Sequence, residues 1–222
     1  YGVELTVAPR ERRGADWIVI ALGWGMAVFV GASVADPSGG HLNPAVTLML
    51  AVNGSLEWSL VPYYALGQIL GAMVGAFLAW AAFKQLFDAN NVDDAGNTTG
   101  ANATTGGIFF TNPAHPNNGW NAVTEFIATC VLLMFIAFGP TGGELGPLSY
   151  FGVAFVVVAV GLSLGTPTGY AINPVRDLGP RLMYAFVLPI KDKGTANWSY
   201  AWVPVVAPLL AAVAVGLLSM AL

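Results

Sequence analysis

Two Asn-Pro steps in matching surroundings, Asn43-Pro44 and Asn173-Pro174, constrain this chain more than any other feature. Each follows a glycine-containing loop, Gly40-His41-Leu42 and Gly169-Tyr170-Ala171-Ile172, and each opens an apolar run. Proline suits the first position of a helix, where its missing N–H would be unpaired anyway. Asparagine just before it is a favoured N-cap. The pattern predicts two short helices, at 44–52 and 174–186, each with its positive end beside an amide side chain. The steps lie 130 residues apart in a very apolar chain. Paired half-helices in corresponding positions are the mark of a duplicated membrane fold with its site at the centre.

Composition narrows the class. Of 222 residues, 56% are hydrophobic and 9% charged, against roughly 25% charged in soluble domains. Too few charges remain to coat a soluble surface, so the chain is read as an all-α membrane protein. The net charge of −4 excludes a basic nucleic-acid face. Cys130 is the lone cysteine, which leaves no internal disulfide and no cysteine-based metal cluster. Phosphate-cradling glycine motifs, HExxH and nucleophile elbows are absent, so no enzyme, cofactor or metal is expected.

About 20 apolar residues cross a bilayer. Spans are predicted at 16–35, 61–83, 120–138, 149–166 and 199–221. In the second span, Gln68, Gly71, Ala72 and Gly75 make a narrow small-residue face for close packing. Residues 1–15, with Arg10, Glu11, Arg12 and Arg13, read as a polar connection, and 139–148 as a tight Gly/Pro turn. The Asn- and Thr-rich segment 84–119, with Asp88, Asp93 and Asp94, reads as a long irregular aqueous loop. It divides one channel domain, 1–222, into repeat halves 1–83 and 120–222. The second half has one more full span than the first, so a first helix is expected before residue 16, missing from this chain.

Non-helical backbone survives within a bilayer only where protein buries it or where it lines a wet cavity. Two such breaks point to a central pathway, with Asn43 and Asn173 donating to a passing solute and loop carbonyls accepting. Two facing helix N-termini make the centre positive, which repels cations and favours neutral polar solutes. Arg176, three residues after Asn173, is too expensive at this depth unless it faces water with its donors paired. Asp177 and Arg181 are four apart and are expected to pair. Glu125, buried in a span, needs structural partners or serves as a proton relay. His41 is expected to orient the first loop or line its mouth.

The stretches Ser38-Gly39-Gly40-His41-Leu42-Asn43-Pro44-Ala45-Val46-Thr47 and Gly169-Tyr170-Ala171-Ile172-Asn173-Pro174-Val175-Arg176-Asp177-Leu178-Gly179-Pro180-Arg181 closely resemble the two signature loops of the aquaporin superfamily. The resemblance runs from about residue 16 to 222 and includes Gln68-x-x-Gly71-Ala72 and Glu125. It implies a right-handed bundle of six transmembrane helices plus two re-entrant half-helices, four pores per homotetramer, and passive flow of water or small neutral solutes. It also implies that Glu125 accepts hydrogen bonds from a re-entrant loop. Asp177 and a basic residue four further on look like the glycerol-facilitator branch. By the same resemblance, the narrowest point is built from Arg176, from Tyr170 three residues before Asn173, and from Gly161 twelve before it. The fourth member is Trp24, although its spacing to Asn43 leaves Leu22 or Gly23 open. Val175 departs from the usual alanine.

These observations predict a channel in the cell membrane, of the bacterial inner-membrane type, for glycerol, small polyols and water. The alternatives are a water-selective pore, which would carry a histidine in the filter, and a proton-coupled transporter, for which Glu125 is the only candidate coupling site.

Overall fold

The computed structural model describes residues 17–93, 95–139 and 146–222. The polar connection over 1–15, Asp16 at the edge of the first span, Asp94 and the centre of the 139–148 turn lie outside the described residues. The helices are α1 (Trp17–Val34), α2 (Pro44–Val52), α3 (Val61–Ala82), α4 (Lys84–Asn90), α5 (Asn118–Phe138), α6 (Tyr150–Leu164), α7 (Pro174–Phe186) and α8 (Val203–Ala221). Helices α1, α3, α5 and α8 are long and apolar enough to cross a membrane. The 15 residues of α6 follow a 3₁₀ turn at Gly146–Ser149 and give way to the second re-entrant loop. Among the described residues the only β pairing is an isolated bridge between Val92 and Thr98.

The half-helices cross over. α2 packs on α8 and α7 packs on α3, so each lies against the last span of the other half, while α1 and α6 pack on each other. Small residues permit these approaches: a Cβ on Gly179 of α7 would fall 2.8 Å from the Ala72 methyl of α3, and one on Gly216 of α8 would fall 2.8 Å from Val52 of α2. Outward faces remain apolar, with Leu66, Leu70, Val74 and Leu78 of α3 all exposed. In lipid that is the favourable arrangement, because backbone polar groups are satisfied inside each helix.

Two expectations need correction. Gly71 and Gly75 meet nothing within 4 Å of their Cβ directions, and they line the central cavity; Ala72 makes the close packing. Segment 84–119 is not an irregular loop. It forms α4 and a 3₁₀ turn at Ala101–Ile108, and it buries Phe87, Phe109 and Phe110 against Tyr184 and Leu188. Its amides satisfy one another: Asn90 Nδ2 donates to Asn102 Oδ1, and Asn102 Nδ2 donates to the carbonyls of Phe87 and Lys191. Asn91 Nδ2 reaches Asp192 at 2.7 Å. A polar segment thus folds around aromatic anchors, which the asparagine-rich composition concealed.

Candidate functional site: a central pore

The two Asn-Pro steps meet. Asn43 is the N-cap of α2, with Oδ1 accepting from Ala45 N at 2.9 Å. Asn173 is the N-cap of α7, with Oδ1 accepting from Val175 N at 3.1 Å and Arg176 N at 3.2 Å. Pro44 and Pro174 occupy the first helical position in each case. The amide nitrogens then cross over: Asn43 Nδ2 donates to Ile172 O at 2.8 Å, and Asn173 Nδ2 donates to Leu42 O at 3.0 Å. Each loop carbonyl is aimed there by left-handed backbone, φ 52° at Leu42 and 43° at Ile172. For side-chain-bearing residues that conformation costs about 1–3 kcal/mol each, and the surroundings must hold it.

What holds it differs between the loops. In the second, Glu125 is fully buried, and its two oxygens accept from Ala171 N and Ile172 N, both at 2.9 Å. In the first, Thr47 Oγ1 lies 3.1 Å from His41 Nδ1, receives Gln68 Nε2 at 3.0 Å and donates to Asn43 O at 3.3 Å. His41 also stacks on Tyr64, with ring centroids 4.6 Å apart.

A cavity of about 820 Å³ runs past both tips, and Trp24, Asn43, Tyr170, Asn173, Val175 and Arg176 are among its lining residues. The Arg176 guanidinium sits over the Trp24 ring, 3.9 Å from its centroid. Leu22, the first alternative to Trp24, is 44% exposed on the outer face; neither it nor Gly23 lines the cavity. Gly161 does not line it either. The Tyr170 ring covers it, with Tyr170 Cζ 2.8 Å from where a Gly161 Cβ would stand.

Residues 1–219 match the family model described as Major intrinsic protein. The chain belongs to the major intrinsic protein family. It is 43% identical over 209 residues to the Glycerol uptake facilitator protein of Streptococcus pneumoniae, covering 93% of this chain and 85% of that one. It is 44% identical over 198 residues to the Glycerol uptake facilitator protein of Bacillus subtilis, covering 88% and 68%. Among solved structures it matches the aquaglyceroporin from Plasmodium falciparum with a TM-score of 0.75 and 28% identity, covering 97% of this chain and 86% of that one. Family members of this architecture are multi-pass membrane proteins, and the apolar helices agree.

In this major intrinsic protein, α7 is anchored by charge. Asp177 and Arg181 are both fully buried. Arg181 Nε donates to Asp177 Oδ1 at 2.7 Å and Nη2 to Oδ2 at 3.0 Å, the pair expected from their spacing. The remaining donors reach the carbonyls of Ala196, Asn197 and Thr111. Thr111 returns both its N–H and its hydroxyl to Asp177 Oδ2 at 2.7 Å. Thr111 escaped sequence reasoning because 66 residues separate it from Asp177; the neighbouring Phe109-Phe110 pair was the available signal that this loop is packed. Lys193, in the loop after α7, caps the helix by donating to the carbonyls of Tyr184 and Leu188 at 2.5 and 2.8 Å. Burial there lowers its pKa below the usual lysine value.

Proposed function

We propose that the chain is a passive channel for glycerol, other small neutral polyols and water in a bacterial cell membrane, working as a homotetramer of one channel domain per subunit. The observation that carries this reading is the placement of Arg176 over Trp24, with Tyr170 lining the same cavity as the paired asparagines. Two aromatic faces suit a carbon backbone, and a guanidinium presents donors in a fixed fork to hydroxyl oxygens. The relatives named glycerol uptake facilitators support the same solute class.

Transport requires no covalent step and no cofactor. A polyol entering the filter places hydroxyls on Arg176 and its carbons against Trp24 and Tyr170. At the centre, each asparagine Nδ2 carries two N–H groups. One is committed to the opposite loop, and the second donates to the solute. Aligned half-helix dipoles and the Arg176 charge make cation and proton passage unfavourable. Glu125 serves as a loop anchor in this reading, since both carboxylate oxygens are engaged by backbone N–H groups.

The test is reconstitution into liposomes. Re-swelling in a glycerol gradient, independent of any proton gradient, is the expected result. Water shrinkage without glycerol entry would overturn the polyol reading, and proton-gradient-dependent uptake would replace the channel with a coupled transporter.

A further inference from the structure

We propose that Trp17 is a positioning residue for the pore filter, acting through Tyr170 and the glycine shelf behind it; the proposal rests on Tyr170 being a filter residue. Trp17 opens α1, where an interfacial tryptophan would turn its N–H towards headgroups or water. Here Nε1 instead donates inward to the Gly161 carbonyl at 2.7 Å, across 144 residues of sequence. Gly161 belongs to the last turn of α6, where helix carbonyls lack their full complement of intrahelical donors. The indole therefore supplies a bond that the helix end needs.

The same indole meets Tyr170. The two rings are 5.9 Å apart at 75°, an edge-on contact of the kind favoured by aromatic quadrupoles. Gly161 and Gly165 form a flat shelf, and a Cβ on either would collide with the rings. At Gly161 it would lie 2.8 Å from Tyr170 Cζ; at Gly165 it would lie 2.6 Å from Trp17 Cζ2 and 2.8 Å from Tyr170 Cδ1. Tyr170 is thus held between the two glycines at the C-terminal end of α6, Gly161 in its last turn and Gly165 at its cap, and the edge of Trp17, on backbone at φ 38°. A left-handed tyrosine has little intrinsic preference for this pose, so its neighbours must define it. Trp17 ties the shelf and the ring together from a different helix. It thereby controls how far the Tyr170 ring reaches into the pathway, without touching solute itself.

The experiment compares the unaltered protein, Trp17→Phe, Trp17→Met and Tyr170→Ala in liposomes. It measures the ratio of glycerol permeability to that of a five-carbon polyol, with flux normalised to reconstituted channel. Trp17→Phe and Trp17→Met both remove the donor while keeping apolar bulk. Each is expected to lower discrimination about five-fold, the effect of one lost hydrogen bond. A residue needed only for folding would change the amount of channel and leave the ratio alone. An unchanged ratio in either Trp17 variant, beside a changed ratio in Tyr170→Ala, overturns the positioning role. An unchanged ratio in Tyr170→Ala overturns the filter reading itself.

Discussion

The half-helix α2 carries no charged side chain and enters through a loop tied by the neutral groups of Thr47, His41 and Gln68. The half-helix α7 carries Arg176, Asp177 and Arg181, and buried carboxylates hold both its loop and its shaft. Both begin with the same asparagine cap, so the difference lies in the anchorage. Hydrogen bonds to an ionised partner are roughly twice as strong as neutral ones. The stiffer fastening belongs to the half-helix that bears Arg176, and in the proposed channel a small displacement there would change what passes. The neutral fastening belongs to the half-helix that contributes mainly a tip and an apolar flank.

The charged anchorage of α7 is weakened most severely at Asp177. Replacing it with alanine strands the buried Arg181 guanidinium and is expected to cost about 3–5 kcal/mol. Thermal unfolding in detergent would show it. Replacing Asp177 with leucine and Arg181 with methionine together should remove the penalty of the lone charge but not the whole loss, because the Thr111 N–H and the carbonyls of Thr111, Ala196 and Asn197 lose their partners. Glu125→Gln comes next, at about 2–3 kcal/mol, since one of two charge-assisted bonds to the Ala171 and Ile172 N–H groups is lost. The readouts are the unfolding temperature and glycerol flux per channel, and both should fall.

A finer test sets the two caps side by side. Asn173→Ala and Asn43→Ala should each cost about 1 kcal/mol or more, the usual value of an N-cap. Asn173 should cost the more, because its Oδ1 accepts two backbone N–H groups and that of Asn43 accepts one. The reverse order would mean that the first loop is the stiffer one. Thr47→Val is the mildest change, at about 1 kcal/mol. Glycerol flux should stay within about two-fold of the original, a small response consistent with a neutral hydrogen bond. A larger drop would show that the neutral fastening matters to conduction as much as the charged one.

The legible parts of this molecule were those written in neighbouring residues. Asn-Pro after a glycine loop specifies a capped helix start locally, and Asp177 and Arg181 reveal their pairing by helical spacing alone. The order of spans and half-helices follows from runs of apolar residues. Partners brought together across the fold were not legible. Thr111 meets Asp177, Asn91 meets Asp192 and Trp17 meets Gly161 over separations of 66 to 144 residues. Segment 84–119 misled because asparagine and threonine are common both in solvated loops and in buried networks that satisfy themselves. Gly161 misled differently: the resemblance placed it at the narrowest point, whereas the Tyr170 ring lies across it.

The crossed bonds between Asn43 and Ile172 O and between Asn173 and Leu42 O have a consequence for how such a chain can diverge. Each half supplies the donor that completes the other half's carbonyl. The backbones at the centre are therefore locked to a common shape, and neither can change its course alone. Three residues past each cap the restriction has ended, and the matching positions hold Val46 in one half and Arg176 in the other. Two copies of one skeleton thus share a shape where they are joined and carry different chemistries on either side of it, Gly40 against Tyr170 before the caps and Val46 against Arg176 after them, and in the proposed channel those flanks set what passes.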